Sequence, residues 1–119
     1  MKDFRKLKVW EKAHKITLKF YKITKKFPRE DLYGLTSQIR RAAVSVPTNI
    51  LEGCVRSSDA NFARFLYISI GSTSELEYLT HLSSDLKYIE NPSSTNLLEE
   101  VNEVKKMLIT LIKKLRAYE

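Results

Sequence analysis

The sequence predicts an all-α protein that folds as an antiparallel up-and-down four-helix bundle, a single domain over residues 1–119. The chain holds only three glycines and three prolines, which favours long helices and few loops. Three segments place apolar residues at steps of four and three, the spacing of one buried helix face. No segment shows the strict apolar-polar alternation of a half-buried strand. A helical chain of this length can bury a core of its own.

Helix one is predicted over about residues 6–26. Pro28 ends it, because the residue before a proline avoids helical backbone geometry. In the connector that follows, Gly34 is expected to supply a positive φ. The buried seam of helix one is predicted to be Val9, Ala13, Ile16, Phe20, Ile23 and Phe27.

Helix two is predicted over about residues 36–55, with Thr36 or Ser37 as its N-cap. Pro47 lies in its middle and removes the backbone donor for the carbonyl of Ala43, a defect that costs roughly 3 kcal/mol. Small residues surround this point, so another helix is expected to pack closely enough to offset the defect. The predicted seam is Leu35, Ile39, Ala42, Val46, Ile50 and Gly53.

Helix three is predicted over about residues 59–89, with Ser57 or Ser58 as its N-cap. A turn precedes this helix, and across it each residue of helix two faces the residue of helix three for which the two numbers sum to about 115. This register places the small residues around Pro47 against the small-residue run at 69–74.

Polar residues of this central hairpin are predicted to form an inter-helix network of ion pairs and hydrogen bonds. The register brings Glu75 near both arginines of helix two. It also brings Gln38 near Glu77. Glu52 is expected to lie near Arg64. The alternative is a small-ligand or phosphate site, the weaker hypothesis because the aligned acids and bases already match. The network residues are Gln38, Arg40, Arg41, Asn49, Glu52, Arg64, Glu75 and Glu77.

Helix four is predicted over about residues 95–117. Asn96 with Glu99 three residues later is a possible capping pair, and Ser94 is the alternative cap. Its acidic residues precede its basic ones, the order that the helix dipole favours. The predicted seam is Leu97, Val101, Val104, Leu108, Leu111 and Leu115.

The net charge of +7 is concentrated at the start of the chain. Residues 1–29 hold eleven basic and two acidic residues, a net +9, whereas residues 30–119 hold ten and twelve, a net −2. Six lysines of helix one repeat at steps of four and three, a stripe about 27 Å long that can track a phosphate backbone. The alternative is a solvated face that serves solubility. The stripe is Lys8, Lys12, Lys15, Lys19, Lys22 and Lys26.

Two helices carry more apolar residues than a single buried stripe requires, which favours a homo-oligomer. The alternative is that these side chains belong to an ordinary protein surface. The candidate subunit-contact residues are Leu7, His14, Leu18 and Tyr21 of helix one, with Phe65 and Tyr67 of helix three.

No catalytic site, metal site or cofactor is predicted. His14 and His81 lie far apart in sequence, and neither a zinc-protease motif nor a phosphate-loop glycine pattern occurs. Cys54 is the single cysteine, so no internal disulfide or cysteine-based zinc site is expected. No segment predicts a membrane span or a signal peptide, so a cytoplasmic location is expected.

Blocks along nearly the whole chain resemble one family, the small four-helix proteins called 23S rRNA intervening-sequence proteins or S23 ribosomal proteins. The blocks are Leu7-Lys8-Val9-Trp10 with Ala13, Phe27-Pro28 with Tyr33-Gly34-Leu35, Gln38 to Gly53, Arg56, Phe65-Leu66, Gly71-Ser72 and Glu75-Leu76-Glu77.

This resemblance implies a bundle that assembles into a ring, a pentamer. It also implies a relation to the accessory protein of diversity-generating retroelements, a basic barrel that binds nucleic acid and a reverse transcriptase. No catalytic residue comes with the family. The leading functional hypothesis is therefore a non-enzymatic oligomer that binds RNA or DNA through the lysines of helix one. The alternative is a protein-interaction scaffold whose ring is the functional unit.

Overall fold

A computed structural model describes residues 2–116, in which four helices form a bundle about 46 Å long. We label them α1 (Lys8–Thr24), α2 (Ser37–Cys54), α3 (Asp59–Asp85) and α4 (Ser93–Arg116). Each helix packs against its two neighbours around the bundle, so α1 and α3 lie diagonally opposite, as do α2 and α4. The all-α, up-and-down four-helix prediction is confirmed.

The core lies on the predicted seams. Phe20, Ile39, Ile50, Leu66 and Leu108 are completely buried, one or two from each helix. Every predicted seam residue of α2 is buried. In α1 and α4, Ile23 and Leu111 are only half-buried, while Ile112, which was not predicted, is buried.

The connector between α1 and α2 is more ordered than predicted. A 3-10 turn at Arg29–Asp31 leads into a π-helical turn at Leu32–Thr36, which is kinked at Gly34, where ψ is −110°, and then joins α2. Thr36 already has helical geometry and makes no side-chain cap, so the predicted N-cap of helix two is wrong. Gly34 has a φ of −111°, so the expected positive φ does not occur there.

Helix α3 ends four residues earlier than predicted, and the cause is a C-terminal capping motif. Lys87 adopts a φ of 64° and donates its amide to the carbonyl of Ser84 at 2.9 Å. The amide of Tyr88 reaches back to the carbonyl of Ser83 at 2.9 Å. These two bonds form a Schellman motif. At the other end, the predicted Ser58 cap is confirmed, because its hydroxyl accepts the amide of Asn61 at 3.1 Å.

Helix α4 begins two residues before the predicted start. Asn91 anchors its first turn, because its Oδ1 accepts the hydroxyls of Ser94 at 2.5 Å and Thr95 at 2.9 Å. Asn96 is therefore inside the helix and is not its cap. The predicted end at residue 117 lies outside the described residues.

The carbonyl left without a backbone donor by Pro47 is satisfied by helix α1. Thr17 is buried, and its hydroxyl lies 3.0 Å from the carbonyl oxygen of Ala43 and 2.8 Å from that of Ala13. One turn further along α2, Ser69 donates its hydroxyl to the carbonyl of Val46 at 2.9 Å. The Thr17 hydroxyl thus compensates the break in the hydrogen-bond ladder, and the Ser69 bond adds a contact between α2 and α3 close to it.

The Ser69 bond also confirms the predicted register of α2 and α3. Its two residues, 46 and 69, have numbers that sum to 115. Close by, the hydroxyls of Ser45 and Ser72 lie 2.7 Å apart. Small polar residues therefore bring the backbones of the two helices together beside the proline.

We predict that Thr17→Val, which keeps the side-chain shape, lowers the free energy of unfolding by about 1–2 kcal/mol. The reason is that the carbonyl of Ala43 is then buried without a donor. In a Pro47→Ala background the restored amide of residue 47 can bond this carbonyl, so Thr17→Val should cost less there. Urea unfolding of the wild type, the two single variants and the double variant measures the coupling between the two positions. If Thr17→Val lowers the free energy of unfolding equally in the wild type and in the Pro47→Ala background, Thr17 does not replace the missing backbone donor.

Candidate nucleic-acid interface

Five of the predicted lysines lie along the flank of α1 that faces α4, and the sixth, Lys26, follows just after the end of α1; we call the six the lysine face. Five of them are exposed, and Lys12 is half-buried. The flank lies beside the seam that packs into the core, which fixes the direction of the stripe. The structure thus keeps all six lysines together on one surface.

Acidic residues neutralise the middle of the lysine face. Lys12 pairs with Glu103 and Lys19 with Glu100, both across the groove to α4. Lys15 pairs with Glu11 one turn earlier on α1, at 3.1 Å. Sequence reasoning missed the α4 acids at this surface, because the lysine spacing alone does not say what the neighbouring helix presents.

The two ends of the lysine face remain positively charged, and we call them the basic ends. Lys8, Lys22 and Lys26 make no ion pair with any residue between 2 and 116. Lys22 and Lys26 line a groove of about 290 Å³ against the start of α4. Lys8 lines a second groove, of about 390 Å³, together with Lys106 and Lys114 of α4. Lys106 and Lys114 were not predicted as part of this surface, although the second half of helix four is rich in basic residues.

The predicted polar network of the central hairpin does not form as expected. Glu77 pairs with Lys105 of α4 at 3.1 Å, and Glu52 pairs at 3.1 Å with Arg56, four residues later and just after the end of α2. Arg40 turns to α1, where its Nε donates to the hydroxyl of Thr24 at 2.9 Å. The register of the backbones was right, but these three charged side chains bond to other partners than the predicted ones.

The other members of that network also lie apart from one another. Arg64 lies over the ring of Phe65 at 4.8 Å and makes no ion pair among the described residues. Asn49 donates to the carbonyl of Ser45 at 2.9 Å. Within residues 2–116, the side chains of Gln38, Arg41 and Glu75 have neither an ion pair nor a hydrogen bond.

The six candidate subunit-contact residues divide between two diagonal helices. On α1, Leu18 is 57% exposed, and His14 stacks on Trp10 with ring centroids 5.2 Å apart. Leu7, the residue just before α1, packs partly against the core. Tyr21 is exposed and lies beneath the guanidinium of Arg40.

On α3, Phe65 is half-buried, and the guanidinium groups of Arg56 and Arg64 lie 4.5 Å and 4.8 Å from the centre of its ring. Tyr67 is exposed, and its hydroxyl accepts from Arg116 at 2.9 Å. The candidates therefore form two separate patches and not one continuous surface.

The single cysteine has low reactivity. Cys54 is buried, and that burial raises the pKa of its thiol, which keeps it protonated and weakly nucleophilic. No group of three or more His, Cys, Asp and Glu side chains suited to a metal ion occurs in the described part of the chain. Between residues 2 and 116, no helix has the length and apolar character needed to cross a membrane.

Comparison with known proteins agrees with the bundle. The family described as 23S rRNA-intervening sequence protein matches residues 5–110. A crystal structure of a protein of unknown function from the S23 ribosomal protein family of Bacteroides thetaiotaomicron VPI-5482 is similar, with 26% sequence identity and a TM-score of 0.82. The alignment covers 88% of this chain and 98% of that one. No curated protein matches the chain. Because the family match spans most of its length, this chain belongs to the 23S rRNA-intervening sequence protein family.

Proposed function

We propose that this protein is a non-enzymatic, oligomeric helical bundle that binds RNA or DNA through phosphate contacts, without sequence specificity. The observation that carries the proposal is the pair of basic ends on the lysine face. Lys8 and Lys22 are 14 residues apart, so the ends are about 21 Å from one another along α1 at 1.5 Å per residue. A nucleic-acid backbone along the face offers phosphates to both ends, and their neutralisation releases counterions.

In this proposal the glutamates of α4 oppose binding. Glu100 and Glu103 hold two lysines of the face and repel incoming phosphates. Both pairs are open to solvent, because the side chains of Lys12 and Glu103 are 44% and 53% exposed and those of Lys19 and Glu100 are 53% and 34% exposed. Exposed ion pairs contribute about 0–1 kcal/mol each, so a polyanion can displace them at little cost.

We therefore predict that Glu100→Gln with Glu103→Gln tightens binding to a fluorescently labelled duplex by about threefold to tenfold. The amides keep the shape of the side chains and release Lys12 and Lys19 for phosphate contacts. Fluorescence anisotropy at low salt measures the change.

The matched control for that variant is Glu75→Gln with Glu90→Gln. It alters the net charge equally but touches neither the lysine face nor an ion pair between residues 2 and 116. Equal tightening by both variants would mean that net charge alone sets affinity, against a role for the lysine face.

The oligomer is part of the proposal. A ring is built from heterologous contacts, in which one patch of each subunit meets a different patch of the next. The exposed apolar residues on diagonal helices, around Leu18 on α1 and Tyr67 on α3, supply two such patches. The family resemblance suggests five subunits. Light scattering that gives a monomer at micromolar concentration would contradict the ring.

The second candidate is a protein-interaction scaffold whose lysines serve only solubility. It is favoured by the exposed apolar surface of α3, where Ile68 is 44% and Tyr78 is 63% exposed. Pull-down from nuclease-treated lysate separates the two candidates. A protein partner retained without nucleic acid supports the scaffold, whereas recovery of nucleic acid from untreated lysate, lost in lysine variants, supports the binder.

A further inference from the structure

The flank of α1 opposite the lysine face borders a groove of about 680 Å³ that the proposed function does not use. Its walls are Tyr21 of α1, the π-helical turn at Leu32–Thr36, and the outer face of α2. The groove contains two tyrosines and two arginines, and no acidic residue lines it.

The tyrosines offer flat apolar surfaces. Tyr33, on the π-helical turn, is 94% exposed, so almost all of its ring is free to stack on a ligand. Tyr21, on α1, is 39% exposed and already has the guanidinium of Arg40 over its ring, with the carbon 4.7 Å from the centroid. Aromatic rings of this kind serve as stacking platforms for unpaired bases.

The arginines supply fixed positive charge beside those rings. Arg40 is held by two bonds, from Nε to the hydroxyl of Thr24 at 2.9 Å and from a terminal nitrogen to the carbonyl of Tyr21 at 3.3 Å. A guanidinium has five N–H donors, so donors remain for a ligand. Arg41 is exposed and makes no ion pair or hydrogen bond with residues 2–116.

The groove also has a polar wall that can accept a hydrogen bond. Asn49 is oriented by its amide nitrogen, which donates to the carbonyl of Ser45 at 2.9 Å and to its hydroxyl at 3.0 Å. Its amide oxygen is left for a donor from outside, such as the N–H group of a base.

We propose that this groove binds single-stranded nucleic acid by stacking bases on Tyr33 and Tyr21 while Arg40 and Arg41 contact phosphates. Charge complementarity favours this occupant over a second copy of the chain, because the groove has no carboxylate and the chain itself carries a net charge of +7. Stacking on an aromatic ring needs an unpaired base, which excludes an intact duplex from the groove.

The test compares two single strands of equal length and charge, one of thymidine and one of abasic residues. The groove predicts that the protein binds the thymidine strand about tenfold tighter in fluorescence anisotropy, the effect of about one stacked base. Tyr33→Ala should remove most of this preference, because the remaining ring of Tyr21 is only 39% exposed and already carries Arg40 on it, and Tyr33→Phe should retain it. Because Tyr33 is almost fully exposed, neither variant should change the melting temperature.

A lysine variant distinguishes binding in this groove from binding on the lysine face. In Lys22→Glu with Lys26→Glu, both strands should bind more weakly while the preference for bases persists. Equal affinity of the wild type for the two strands overturns the groove and leaves phosphate binding by the lysine face intact. If Tyr33→Ala instead lowers the oligomeric state in light scattering, the groove is a contact between copies, and the proposal is wrong.

Discussion

Reversing Lys22 and Lys26 to glutamate is expected to weaken binding of duplex RNA or DNA by roughly a hundredfold or more at low salt. The change removes one basic end of the lysine face and adds two negative charges beside Glu100, which already lines the same groove. Extending the reversal to Lys12, Lys15 and Lys19 should abolish binding. Anisotropy titrations against one labelled duplex measure the series.

The fold should survive these substitutions, because both lysines are exposed. The matched control is Arg64→Glu with Lys87→Glu, which alters the net charge by the same amount at exposed positions on α3 and just after it. The control should bind within a few-fold of the wild type. If the control loses affinity as steeply as the lysine variant, the lysine face has no special role.

Gly53→Ala is expected to lower the free energy of unfolding by about 2–3 kcal/mol, because the interior is already close-packed there. A Cβ at this position would lie 2.7 Å from Cδ1 of Phe62 and 3.1 Å from its backbone carbonyl oxygen. Phe62 is buried, so its ring cannot move away without disturbing the core. Urea denaturation measures the loss.

Gly71→Ala provides the matched comparison within the same protein. Gly71 lies in the interior of α3, and a Cβ there would meet nothing within 4 Å. The substitution should raise the free energy of unfolding by about 0.5–1 kcal/mol, since alanine restricts the unfolded chain and favours the helix. If both glycine variants destabilise equally, helix packing is not what distinguishes the two positions.

The four helices and the faces that they bury could be predicted from the sequence, because both follow from the periodic spacing of apolar residues. The seams through Phe20, Ile50 and Leu108 were readable because a helix buries a residue every three or four positions. The register of α2 and α3 was also readable, because small residues matched only when the turn was centred just before α3.

Ends and caps were harder to predict, because they depend on a few local bonds. Lys87 adopts the left-handed conformation that glycine usually occupies, so no glycine marked the end of α3. The π-helical turn before α2 left Thr36 with no capping role. Thr17 was missed as the partner of the Ala43 carbonyl because the two residues lie on different helices and are 26 positions apart in the sequence.

The lysine face, too, could be predicted only in part, because its charge depends on contacts between helices. Its six members were predicted from spacing on one helix, but the charge at each position depends on α4. Glu100 and Glu103 reach Lys19 and Lys12 across the groove, and these contacts divide a uniform stripe into two basic ends. The aromatic groove was missed for a similar reason, because the π-helical turn brings Tyr33 beside residues of α1 and α2.

The salt dependence of binding tests the central claim most directly. If the lysine face neutralises phosphates, the logarithm of the association constant should fall linearly with the logarithm of salt concentration, with a slope of about −0.9 for each phosphate contacted on duplex DNA. Lys22→Glu with Lys26→Glu should make that slope shallower by about two such contacts. Absence of saturable binding by the wild type at low salt, or a slope that the lysine variant leaves unchanged, would contradict the proposal.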